Sequence, residues 1–187
     1  MNKCDQDLLG KVYVVTGGNS GIGFEAARNF AARGARLVLV CRSEQRGHAA
    51  LAKIELETGN DQGLLYVADF SSLESVSAVA DRLLREFLKI DVLCNNAGSA
   101  NGQRSETSEG FETTLVTNHL SGFLLTKKLM PALERAAASG QARVVFTSSY
   151  GHTNSALNFD DLGLRTGYKT LVAYGRSKLM NLLTARE

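Results

Sequence analysis

The sequence predicts an α/β fold, a doubly wound parallel sheet with helices on both faces. Three observations carry this. Short apolar runs alternate with helix-period stretches in the order β-α-β-α-β-α-β-α-β-α. The strand-like runs are apolar throughout, without the polar alternation of a half-exposed strand, as expected for strands buried on both faces. The unusual residues follow directly on those runs (TGGNSGIG, CRS, ADFS, NNAG and TSSYGH), at the carboxyl ends of strands where such sheets bind ligands.

The elements follow in order. KVYVVT (11–16) is a β-rich run, and GIGFEAARNFAARG (21–34) has helical spacing and stops on Gly34. ARLVLVC (35–41) is the second strand, followed by a polar-faced helix, SEQRGHAALAKIELETG (43–59), that ends on Gly59. GLLYVAD (63–69) is the third strand. Ser71-Ser72-Leu73-Glu74 then forms a capping box that opens a helix to about Leu88. DVLCN (91–95) is the fourth strand. Helical pattern resumes from about Thr107 to Ala138, with a break expected near His119 or Pro131. ARVVFTS (142–148) is the fifth strand, a polar stretch without clear period runs from Ser149 to Lys169, and a last helix begins at about Thr170. Right-handed crossovers between parallel strands make the doubly wound arrangement the leading topology. No repeat, low-complexity tract or linker interrupts the pattern, so residues 1–187 are expected to form one domain.

Composition narrows the function classes. The 187 residues suffice for one domain with a real core. A net charge of +2 gives no electrostatic case for nucleic acid or an anionic membrane surface. The three cysteines, Cys4, Cys41 and Cys94, form no CxxC, which fits a reducing compartment, and cytoplasmic location is the default expectation. No apolar h-region opens the chain, and no run reaches the roughly 20 apolar residues of a membrane helix. His48 and His119 have no metal-ligand spacing, so no metal is expected.

Gly17, Gly18, Gly21 and Gly23 lie between a strand and a helix. Their missing Cβ atoms allow a sharp turn and close approach to a ligand, and the helix N-terminus offers free N–H groups to a pyrophosphate. The spacing is G-x-x-x-G-x-G, not the usual Rossmann G-x-G-x-x-G. At the end of the second strand Arg42 suits a ribose 2′-phosphate, hence NADP over NAD; Glu44 is the residue that could oppose this. Asp69 has two readings, an adenine contact or a local turn cap ahead of Ser71. In NNAG (95–98) two amides, Asn95 and Asn96, and a glycine, Gly98, could line a cofactor groove, or form a plain turn.

Tyr174 and Lys178 lie one helical turn apart. A free tyrosine has a pKa near 10, and a cation within reach lowers such a value, making a phenol usable in proton transfer. The apolar positions Val172, Leu179, Leu182 and Leu183 place the packing face of this helix elsewhere. Alone the pair has little weight; it gains weight from the other motifs.

Together these residues resemble the short-chain dehydrogenase/reductase family. TGGNSGIG is similar to its T-G-x-x-x-G-x-G, NNAG to its N-N-A-G, Asn118 to its helix asparagine, Ser149 to its serine, and YGRSK to its Y-x-x-S-K. TGGNSGIGFEAA, VCRS, SSxxH and AYxxSKLxNxL look most like the retinol-dehydrogenase-like branch, which includes the WW-domain oxidoreductase. The resemblance implies a Rossmann-type fold and hydride transfer between NADP (or NAD) and an alcohol, aldehyde or ketone. It implies Tyr174 as general acid/base, Ser149 as the group that polarises the substrate oxygen, and Lys178 as the ligand of the nicotinamide ribose. Asn118 would support a relay water. Gly17, Asn19, Ser20, Gly21, Ile22, Gly23, Arg42, Asp69, Asn95, Ala97 and Gly98, with Tyr174 and Lys178, would form the cofactor set. A homodimer through the helices around Asn118 and Tyr174 is within the family's habit. His152 could donate to substrate, but a plain loop histidine is the better reading, and Cys94 is read as core.

The family continues past the Tyr–Lys helix with two more strands and a substrate lid. The sequence is therefore expected to be truncated, with its fifth strand an exposed edge. The alternative to an oxidoreductase is a non-catalytic nucleotide-binding or interaction module. Membrane association beyond Glu187 stays open.

Overall fold

The computed structural model describes residues 6–187, so Cys4 lies outside the described residues. Five strands, β1 (Val12–Thr16), β2 (Arg36–Cys41), β3 (Leu64–Val67), β4 (Val92–Asn95) and β5 (Arg143–Phe146), form one sheet in the order β3-β2-β1-β4-β5. All four pairings are parallel. The order reverses between β1 and β4, which opens a crevice at their carboxyl ends.

The side-chain alternation explains the two layers. Val15, Leu37, Leu39 and Cys94 point to one face and meet α1 (Gly21–Ala32) and α2 (Glu44–Thr58) through Phe24, Ala27, Ala31, Ala50 and Ile54. Val14, Val38, Val40 and Leu93 point to the other, against α3 (Leu73–Glu86) and α5 (Ser121–Ala137) through Val76, Leu83, Leu125 and Leu129. Gly59 takes the left-handed conformation, φ 73°, as the stop of α2. β5 is an open edge, with Val145 exposed.

Two local expectations are corrected, and a third, left between two positions, is decided. The cap of α3 is Ser72, whose hydroxyl accepts from Ser75 N at 3.1 Å; Ser71 is drawn instead to the Asp69 carboxylate, so the expected capping box does not form. Helix does not begin at Thr107. It begins with α4 (Thr113–Leu115), where the Glu112 carboxylate accepts from Thr114 N and Leu115 N at 2.8 and 2.7 Å. The break falls at His119, inside a π turn (Val116–Leu120), and not at Pro131. Pro131 sits on the exposed side of α5, and the helix runs through it.

A 3₁₀ turn (Tyr150–His152) follows β5, and the last helix is α6 (Thr170–Thr184). Among the described residues no helix is long and apolar enough to cross a membrane, and no cluster of His, Cys, Asp or Glu could hold a metal.

Candidate active site

The crevice at the β1/β4 switch point is a cleft of about 450 Å³, lined on one side by Gly17, Asn19 and Ser20 and on the other by Asn96, Ala97 and Gly98. Thr16 ties the two sides together. Its buried hydroxyl accepts from Asn96 N and Ala97 N, both at 2.9 Å, and donates to Cys94 O at 3.2 Å. Asn96 returns the contact, donating Nδ2 to Thr16 O at 3.1 Å. Two glycines are required here by space. A Cβ at Gly17, already at φ 65°, would stand 3.0 Å from Ala97 Cα, and one at Gly23 would run into Asn96 Nδ2 and lie 2.6 Å from Gly17 O. The tight loop aims the N-terminus of α1 at the cleft, a ready-made anion site.

Arg42 and Arg46 border the end of β2 on the same cleft, and neither has a carboxylate partner among the described residues. Glu44 does not border it; its carboxylate lies 4.0 Å from His48 on the outer side of α2. Asp69 also borders the cleft, and its Oδ1 accepts from Ser71 N and Ser71 Oγ at 2.9 and 2.8 Å, so the turn-cap reading is present in the geometry.

Gly21, Ile22 and Gly23 form the first turn of α1 rather than the cleft wall, and the Ile22 side chain is exposed toward a separate groove beside β5. Asn95 requires a correction. Its side chain points away from the cleft into the core, donating Nδ2 to Thr126 Oγ1 at 2.9 Å, because β4 alternates and the turn begins only at Asn96. Its neighbour Asn96 is the cleft residue.

Gly98 joins this cleft to a second group of residues. A Cβ there would lie 3.2 Å from Asn118 Oδ1 and 3.6 Å from Lys178 Nζ. Lys178 is buried, donates to Thr147 O at 3.0 Å, and holds its ammonium 5.4 Å from the Tyr174 ring centroid. Burial holds its pKa below the usual lysine value. Tyr174 and Ser149 flank Gly151, whose added Cβ would lie 3.7 Å from Tyr174 Cδ1 and 3.8 Å from Ser149 Oγ. Ser148 commits its proton to Lys178 O at 2.8 Å, whereas Ser149 Oγ only accepts, from Gly151 N at 3.3 Å. The Ser149 proton is thus free to point outward. His152 steadies this turn, its Nδ1 2.6 Å from Ser149 O.

Asn118 acts as a clamp. Its Nδ2 donates to Ser99 O and Ser177 Oγ at 2.9 and 3.0 Å, and its Oδ1 accepts from Ser99 N at 2.8 Å. Both amide hydrogens are committed, so a relay water would find only spare lone pairs on Oδ1 and the backbone carbonyl.

The packing face of α6 differs from the expectation. Val172 and Leu183 are exposed, and the buried positions are Ala173, Gly175, Ser177, Lys178, Met180 and Asn181. The helix packs its polar side inward because that side meets the strand-end carbonyls and the π turn, not an apolar sheet face. Sequence reasoning passed over Thr16, Arg46 and Asn181, whereas Asn96 was one of the two NNAG amides read as lining a groove. Thr16 stood within the quoted motif; for Arg46 the signal was a second arginine one turn after Arg42.

The short chain dehydrogenase family profile matches residues 11–159. This chain belongs to that family. Mouse retinol dehydrogenase 12 is 46% identical over 180 residues, covering 96% of this chain and 56% of the mouse protein. The chain thus spans about half the length of the curated relatives it matches. Among solved structures, an uncharacterised Mycobacterium paratuberculosis protein superposes with a TM-score of 0.81 at 36% identity, covering 94% of this chain and 60% of that one. The Pseudomonas aeruginosa RhlG/NADP active-site complex superposes with a TM-score of 0.76 at 26% identity, covering 100% and 68%. As a short-chain dehydrogenase the chain has a Rossmann-like fold and a retinol-dehydrogenase-like sequence.

Proposed function

We propose that this chain carries the hydride-transfer site of a retinol-dehydrogenase-like oxidoreductase that uses NADP(H) on an alcohol, aldehyde or ketone. The observation that supports it best is the pairing of Ser149 and Tyr174 across Gly151, with Lys178 behind the ring. The residues present fit a dinucleotide. Gly17 and Gly23 leave space that a Cβ would fill, the α1 N-terminus faces a pyrophosphate position, and Gly98 opens the way to Lys178. Arg42 and Arg46 favour a 2′-phosphate, with Glu44 turned away, and the similar RhlG fold is described as an NADP complex. When bound, the nicotinamide supplies or accepts the hydride.

The remaining work falls to side chains. In the reducing direction Ser149 Oγ donates a hydrogen bond to the carbonyl oxygen and Tyr174 gives that oxygen its proton. Lys178 keeps a positive charge beside the ring and has N–H groups left for ribose hydroxyls, since Thr147 O takes one. Asn118 holds the Ser99 segment against Ser177 and so keeps Gly98 against Lys178.

Titration with NADPH and NADH, followed by cofactor fluorescence and then by turnover of simple aldehydes, tests this. NADPH binds more tightly, and Tyr174→Phe lowers kcat roughly 10²–10⁴-fold with cofactor affinity kept. An unchanged kcat in Tyr174→Phe refutes the mechanism. A second reading is a non-catalytic nucleotide-binding module, and NADPH binding with no turnover of any carbonyl would select it.

A further inference from the structure

Asn181 is the most deeply buried polar side chain of α6 apart from Ser177, at 1% exposure, and the roles above do not use it. Its Nδ2 donates to Asn118 O at 3.0 Å and to Thr147 O at 3.2 Å. Its Oδ1 lies 3.0 Å from His119 Nδ1. One amide therefore joins three elements: the π turn, the end of β5 and α6. The orientation of that amide is fixed by logic. Turned over, Oδ1 would face two carbonyl oxygens and find no hydrogen on either. Since Oδ1 must accept, His119 Nδ1 carries a proton, and the neutral ring is the Nδ1–H tautomer.

Thr147 O is the carbonyl that also accepts from Lys178 Nζ, at 3.0 Å. Asn118 is the clamp at Gly98, and it sits in the π turn. Both carbonyls are thus set by Asn181, and Asn181 is set by His119. Resting on the hydride-transfer reading, we propose that Asn181, braced by the Nδ1–H of His119, is a positioning residue that fixes Lys178 through Thr147 O and Asn118 through its backbone carbonyl. It touches neither substrate nor cofactor.

Asn181→Leu tests this, because it fills nearly the same space, adds no charge and donates nothing. Two readouts are taken on the 187-residue chain: kcat for aldehyde reduction with NADPH, and the Lys178 ammonium titration followed by NMR with ¹⁵N-lysine. The expected results are a kcat lower by about 10²-fold, the loss attached to a roughly 1 Å misplacement, and a Lys178 midpoint moved up toward that of an exposed lysine as water reaches a loosened side chain. His119→Gln, whose amide can still donate to Oδ1, keeps both readouts near wild type, while His119→Leu moves both. If Asn181→Leu does not fold, His119→Leu carries the test, since it frees the amide without altering Asn181. A wild-type kcat and an unmoved Lys178 midpoint in the folded variant overturn the proposal, as does a kcat loss that only tracks loss of folded protein. If the wild-type chain turns over no carbonyl, the hydride-transfer reading fails, and the Lys178 midpoint still decides whether Asn181 positions it.

Discussion

Thr16→Val removes one oxygen and keeps the side-chain shape, so its effect can be worked out bond by bond. The hydroxyl accepts from Asn96 N and Ala97 N, both at 2.9 Å, and donates to Cys94 O at 3.2 Å, at a position with no exposure. Valine leaves two backbone donors and one acceptor without this partner. At about 1 kcal/mol net per hydrogen bond, and more where a donor stays buried and unpaired, the loss is about 2–4 kcal/mol. Thr16→Ser keeps the hydroxyl and loses one methyl, at about 1 kcal/mol. Urea unfolding at neutral pH should therefore place valine about 1–3 kcal/mol below serine. Because Ala97 lines the cleft, the valine variant should also bind NADPH more weakly while serine does not. A serine variant as unstable as valine would show that the methyl packing, not the three-bond hub, holds the two halves of the cleft together.

Two further outcomes follow from charges in the structure. Arg42→Ala and Arg46→Ala should each weaken NADPH binding about tenfold and leave NADH binding nearly unchanged, and raising salt should narrow the wild-type preference; equal losses for the two cofactors would remove the arginines from 2′-phosphate recognition. His119 is held below the usual histidine pKa by burial, with the Asn181 hydrogen bond opposing. The folded state then binds fewer protons than the unfolded one, so stability falls as pH drops through about 6.5 toward the folded pKa. Urea midpoints compared at pH 7.5 and 5.5 should show this drop in wild type and a smaller one in His119→Gln, and equal drops would place the acid sensitivity elsewhere.

The sheet was readable because parallel strands covered on both faces leave continuous apolar runs, and because Gly34 and Gly59 stop helices where left-handed backbone is needed. The cleft was readable because the chemistry sits just past those runs. Local choices between similar neighbours were not. Ser71 and Ser72 both offer a cap, and only the Asp69 carboxylate assigns Ser71 to the turn. Asn95 and Asn96 differ by one place, and only the strand alternation sends one into the core and the other to the cleft. Ser148 and Ser149 also stand side by side, and the bond from Ser148 to Lys178 O is the physical difference between them.

The α6 misreading has a deeper cause. Hydrophobic spacing identifies a packing face only when the partner is apolar, and the partner of α6 is a wall of carbonyls from Asn118 and Thr147. Burying Lys178 there opposes folding while the ammonium is charged, because desolvation penalises the charge more than one carbonyl compensates. With a folded pKa below the ordinary lysine value, this penalty eases as pH rises through the folded pKa toward about 10.5. The helix is held inward by the bonds Lys178 and Asn181 donate to Thr147 O and Asn118 O, and by the one Ser177 Oγ accepts from Asn118 Nδ2. A ligand that accepts from Lys178 in the folded state alone would add stability to this same element by mass action. Lys178, the residue that makes α6 costly to pack, is the one proposed to hold the cofactor, so the local stability of α6 and occupancy of the cleft should rise and fall together.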